Sequence, residues 1–133
     1  MSHATVWFDG ACSGNPGPMG AGAVVEIGPS VKSVSRALGR GTNNEAEYQA
    51  VIAGLNLALQ EGADTVTVRG DSQLVLRQLE GTYAVKAANL RMFHAEAQSL
   101  LGKFRKWRLE WVPREENAAA DRLANQALGR PVA

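Results

Sequence analysis

Four carboxylates in this chain stand where turn and surface chemistry do not explain them all. Asp9 follows the apolar run "ATVWF" and precedes "GACSGNPGP", so it is expected at the end of a strand. Asp71 closes a second β-rich run, "DTVTVRGD". Glu47 lies one helical turn before Val51 and two before Gly54, on the stripe that also carries Ala50, Leu55 and Ala58. Asp121 shares a helical face with Ala124 and Leu128. Taken singly, each has a plain explanation: Asp-Gly is a common turn, and an inward acid can pair with Arg69, Arg122 or another base. Together, with few bases at comparable inward positions, they repel one another, and a cation is the expected counter-charge. An all-oxygen donor set favours Mg²⁺ or Mn²⁺. The alternating acid loop of a calcium site is absent, and one cysteine with two histidines, His3 and His94, offers no zinc spacing.

The elements that must position these acids read as follows. "ATVWFDG", "AGAVVEIG" and "SVKSVSRALG" are three strands, the last two joined as a hairpin. "TNNEAEYQAVIAGLNLALQEG" is a helix whose Thr42 and Glu45 match a capping box and whose stop is Gly62. "DTVTVRGD" is a strand, and "SQLVLRQLEG" a short helix capped by Ser72. A helix over "AANLRMFHAEAQSLLGKF", a strand over "KWRLEWVP" and a helix over "NAAADRLANQALG" complete the order β-β-β-α-β-α-α-β-α. This order implies a mixed sheet with helices packed on it. If the strands ending at Asp9 and Asp71 lie parallel and adjacent, both acids share the rim where such sheets bind ligands.

A chain of 133 residues with a net charge of +1 fits a single domain, residues 1–133, with about 129–133 as a loose tail. A balanced charge does not exclude a nucleic-acid partner, because placement matters more than the sum. Cys12 is the only cysteine, so no intrachain disulfide forms, in keeping with a reducing compartment. No stretch approaches the ~18 apolar residues of a membrane span, and the start is unlike a signal peptide. The expectation is a cytoplasmic protein with no membrane partner.

The pieces "FDGACSGNPGP", "TNNEAEYQAVIAGL", "RGDSQLV" and "ENAAADRLAN" occur in the order found in type I ribonuclease H, which the chain resembles over nearly its whole length. The resemblance implies an α/β, ribonuclease H-like fold with a five-stranded mixed sheet, its first three strands antiparallel, flanked by helices. It implies a monomeric endonuclease that hydrolyses the RNA strand of RNA/DNA hybrids with two Mg²⁺ ions, Mn²⁺ being a substitute, and leaves 5′-phosphate and 3′-hydroxyl ends. Asp9 would bridge both ions, Glu47 and Asp71 would join it on one, and Asp121 on the other. Gly10, Cys12, Asn15, Asn43, Asn44 and Gln73 match positions that touch the minor groove of the hybrid. Arg40 and Thr42 match positions that grip a phosphate of the DNA strand.

Two departures stand out. "EGTYAVKAANLRMF" is too short for the basic protrusion that many members use to hold the hybrid, and Ala87 falls where an asparagine often helps bind the DNA phosphate. Lys86 and the "KFRKWR" cluster are the basic residues left to compensate. The loop before Asp121, "PREENAAAD", lacks the family's frequent histidine, whose role would pass to Arg114, Glu115, Glu116 or water. The alternatives are a hybrid-binding module without catalysis, which would usually have lost an acid, and another metal nuclease of the same fold, which would lack the "SGNPGP" and "TNN" matches.

Overall fold

A computed structural model describes residues 2–130. One sheet runs through the molecule in the order β3-β2-β1-β4-β5. Its strands are β1 (His3–Cys12), β2 (Gly17–Ile27), β3 (Ser30–Gly41), β4 (Thr65–Gly70) and β5 (Lys106–Trp111). β1, β2 and β3 pair antiparallel, while β4 joins β1, and β5 joins β4, in parallel. The helices are α1 (Asn43–Gln60), α2 (Gln73–Glu80), α3 (Ala88–Leu101) and α4 (Ala118–Ala127). Both the element order and the mixed pairing match the sequence reading.

Local signals account for the boundaries. Thr42 accepts the Glu45 amide at 3.2 Å while Glu45 accepts the Thr42 amide at 3.1 Å, closing the capping box that starts α1. Gly62, at φ +86°, follows its end. Ser72 caps α2 through the Val75 amide at 3.3 Å.

The two faces of the sheet are covered differently. Ala4, Val6 and Phe8 of β1 and Val66 and Val68 of β4 meet Tyr48, Val51 and Leu55 of α1 in the buried core, with Leu79 and Leu101 from α2 and α3. On the other face α4 lies against β2 so closely that a Cβ on Gly20 or Gly22 would strike the backbone of Ala124 or Ala120. Gly20 and Gly22 are side-chain-free because this helix needs the space.

Three boundaries differ from the sequence reading. β1 does not stop at Asp9 but continues to Cys12, because its antiparallel ladder with β2 runs on to the Cys12–Met19 pair. Its parallel ladder with β4 does stop, at Trp7–Arg69, so Asp9 sits where one neighbour has ended and the other has not. β2 begins at Gly17, inside the segment read as a turn. A 3-10 turn over Arg114–Asn117 precedes α4 where a loop was expected. At the far end, Arg130 is tied back by bonds to Asn125 Oδ1 at 2.8 Å and the Cys12 carbonyl at 3.0 Å; the rest of the expected tail, 131–133, lies outside the described residues.

Candidate active site

The rim of β1 and β4 collects the acids. One carboxylate oxygen each from Asp9, Glu47 and Asp71 lies within 4.8 Å of the other two. Asp9 comes from β1, Asp71 from the turn between β4 and α2, and Glu47 from the second turn of α1. Asp121, in the first turn of α4, stands outside this close trio but lines the same cleft of about 240 Å³ as Asp9 and Asp71. The inward placement read from the two helix patterns therefore holds, and all four acids meet at one end of the sheet.

Pairing with bases does not explain them. Arg69, the base nearest in sequence to Asp71, is bound to Glu110 at 2.7 Å and stacks over the Trp7 ring at 5.1 Å from its centroid. Among the described residues Asp9, Glu47 and Asp71 form no ion pair, and Asp121 has only Arg114 at 3.8 Å. Asp9 is 7% exposed, and burial, the Glu47 charge and the nearby Asp71 and Asp121 push its carboxyl up to about 10. Burial pushes Glu47 up to about 8, opposed by the bond it accepts from the Gly10 amide. Crowded carboxylates that resist ionisation together suit a divalent cation, and an all-oxygen set of this kind fits Mg²⁺ or Mn²⁺.

The remaining sequence candidates fall around this cluster. Gly10, Cys12 and Asn43 line the cleft. Asn15 accepts the Asn43 amide at 3.1 Å, which fastens the "SGNPGP" turn to the start of α1. Arg40 is exposed at the end of β3, next to the Thr42 cap. Asn44 is half-buried in the first turn of α1, and Gln73 is exposed, two residues beyond Asp71. Gly10 has a structural reason of its own: a Cβ there would run into the backbone of Ala46 and Glu47. Its smallness lets α1 bring Glu47 up to β1.

The "KFRKWR" cluster is elsewhere. Lys106 pairs with Thr65 at the start of the parallel β4–β5 ladder, whereas Asp71 follows its other end at Gly70–Trp111. Five rungs, roughly 17 Å, separate the two rims. This part of the cluster therefore lies away from the acids, while Lys86 stands within the α2–α3 connection.

Sequence reasoning passed over Asn117. This residue is 2% exposed, and its amide nitrogen donates to the Phe8 carbonyl at 2.8 Å and to Asp71 Oδ1 at 3.3 Å. The available signal was an asparagine one turn before a helical acid, which reads as an ordinary N-cap. The sequence reading also gave no role to Asn125, which donates to Asp121 Oδ1 at 3.3 Å, or to Trp111, whose ring nitrogen donates to the Asp71 carbonyl at 3.2 Å.

Comparison with known proteins agrees with this fold. A family model described as reverse transcriptase-like matches residues 7–127. Ribonuclease HI of Halobacterium salinarum is 45% identical over 124 residues, 92% of this chain and 62% of that protein. The crystal structure of RNase H1 from this archaeon superposes with a TM-score of 0.92 at 43% identity, covering 96% of this chain and 98% of that one. The chain belongs to the type I ribonuclease H family. The bifunctional protein Rv2228c of Mycobacterium tuberculosis is 46% identical over 123 residues, 90% of this chain but 34% of that protein, so the chain spans about a third of this relative. LC11-RNase H1, solved in complex with an RNA/DNA hybrid, superposes with a TM-score of 0.87 at 34% identity, covering 95% and 96% of the two chains. Within this ribonuclease H fold, only residues 81–87 connect α2 to α3, and no further helix stands between them. Among the described residues, no helix is long and apolar enough to cross a membrane.

Proposed function

We propose that this chain is a metal-dependent endonuclease that hydrolyses the RNA strand of RNA/DNA hybrids and leaves 5′-phosphate and 3′-hydroxyl ends. The observation that carries the reading is the carboxylate trio within 4.8 Å, with Asp9 buried, Glu47 and Asp71 half-buried, and none of the three paired with a base among the described residues. The named relatives and the hybrid-bound LC11-RNase H1 support the choice of substrate.

In this proposal Asp9 would contribute to holding both of two Mg²⁺ ions, Glu47 and Asp71 would contribute to one, and Asp121 to the other. When bound, the ions activate water and neutralise charge on the phosphate. The chain's own residues position the partners. Gly10 allows α1 to deliver Glu47, while the Asn15–Asn43 bond orders the glycine-rich turn beside the cleft. Backbone and amide groups of Gly10, Cys12, Asn15, Asn43, Asn44 and Gln73 reach sugar and base edges in the minor groove, where the 2′-hydroxyl distinguishes RNA from DNA. Arg40 and Thr42 hold a phosphate of the DNA strand.

The test is incubation of labelled RNA/DNA, RNA/RNA and DNA/DNA duplexes with Mg²⁺, with Mn²⁺ or with a chelator. Cleavage of the RNA in the hybrid, dependent on the metal and leaving 3′-hydroxyl ends, is expected. Hybrid left intact with both metals, or cut equally in chelator, refutes the proposal.

A further inference from the structure

We propose that Asn117 is a positioning residue for the carboxylate cluster: its side-chain amide clamps Asp71 to β1 at Phe8 and so sets the spacing at which the acids receive a divalent cation. The inference rests on the metal-dependent reading above and adds a residue that touches neither ion nor substrate.

Asn117 stands at the N-cap of α4, where an asparagine side chain normally accepts a backbone amide of the first turn, yet it makes no such bond. Its NH₂ group is turned instead toward two acceptors, one within β1 and one just past the end of β4. One is the carbonyl of Phe8, the residue before Asp9; the other is Oδ1 of Asp71. The orientation of the amide is fixed, because a flip would set its oxygen against a carbonyl and a carboxylate. Its own Oδ1 is buried and has no partner among the described residues. A side chain kept only to start a helix would satisfy the cap and avoid an orphaned acceptor.

The connection has a clear consequence for the site. β1 and β4 cease to pair at Trp7–Arg69, so no ladder bond holds Asp9 and Asp71 to each other beyond that point. Asn117 spans this gap. It also opens the helix that carries Asp121 one turn later. Three of the four acids are thereby referred to one buried amide, and a donor on one Asp71 oxygen fixes the rotation of that carboxylate. Outer-shell hydrogen bonds of this kind typically change metal affinity or turnover by about 10–100-fold when removed.

The experiment compares the parent chain with Asn117→Ala and Asn117→Asp by two independent readouts. The first is the Mg²⁺ midpoint for the rise in melting temperature. The second is kcat and KM on an RNA/DNA hybrid. Both variants should raise the Mg²⁺ midpoint and lower kcat by about tenfold or more, with KM little changed because Asn117 is buried away from substrate. Placing Asn117→Ala in an Asp71→Asn background should abolish most of its effect on the Mg²⁺ midpoint, since the two act through one contact. A variant with a lowered melting temperature but parental Mg²⁺ midpoint and kcat overturns the proposal, as does an undiminished loss in the Asp71→Asn background. If Asn117→Ala does not fold, Asn117→Ser carries the same measurements. Should the parent bind Mg²⁺ but fail to cut hybrids, the proposed substrate is wrong while the Mg²⁺ comparison still decides the role of Asn117. A parent whose melting temperature ignores Mg²⁺ overturns both.

Discussion

Neutralising Asp9 should stabilise the metal-free protein, by an amount that grows with pH. Burial and the neighbouring carboxylates move the Asp9 carboxyl from its ordinary 3.8 to about 10. Below that ordinary value the group is protonated both folded and unfolded, so its shift costs nothing. As pH rises, the unfolded chain releases the proton while the native state retains it, and stability falls by about 1.4 kcal/mol per pH unit until the folded value is passed. The cost reaches about 4 kcal/mol at pH 7. Coulomb repulsion gives the same scale: two carboxylate charges 4.8 Å apart repel by about 3.5 kcal/mol at an effective dielectric of 20. The substitution Asp9→Asn keeps the shape of the side chain without the titration. In chelator, thermal or urea unfolding should therefore show parent and variant nearly equal at pH 4. The variant should be the more stable by roughly 1–4 kcal/mol at pH 7, a shift on the order of 10 °C in Tm. Saturating Mg²⁺ should close the gap, because an ion at 100 times its Kd returns about 2.7 kcal/mol to the parent. A metal-free Asp9→Asn no more stable than the parent at pH 7, or a gap that does not widen with pH, would falsify the unpaired-cluster account.

The same variant should lose nearly all cleavage while still binding hybrid, as should Glu47→Gln and Asp71→Asn, with Asp121→Asn milder; duplex cleavage and gel-shift assays check both halves. Asn15→Ala should weaken hybrid binding by about 0.5–1.5 kcal/mol, the worth of one polar contact, and leave the Mg²⁺ midpoint unchanged in a thermal-shift titration. A DNA duplex with a single embedded ribonucleotide should survive incubation with Mg²⁺, whereas a run of several is cut, if the turn after Asp9 reads 2′-hydroxyls on both sides of the scissile bond. Gly22→Ala should destabilise by about 1–3 kcal/mol in urea titration, because its Cβ meets the α4 backbone.

Much of this site is readable from residues that break a local rule. Glu47 and Asp121 put charge on apolar stripes, and the periodicity alone marks them as inward. Thr42–Glu45 and Ser72 announce their helices because capping chemistry needs only neighbours within one turn. What the sequence hides depends on partners far along the chain. β1 outlasts Asp9 because β2 continues to pair with it, a fact that no property of "FDGAC" reveals. Gly10 reads as turn chemistry until α1 is seen to press on it. "KFRKWR" is a basic cluster in the sequence, but the β4–β5 register sends it to the wrong rim. Asn117 is the sharpest case, since a cap asparagine before a helix obeys every local expectation. Its departure lies in three dimensions: the side chain leaves the helix end uncapped and bonds across to β1 and Asp71. Local rules thus expose the residues that face the cation, while the residues that hold them in place obey those rules and are found through the contacts they make instead.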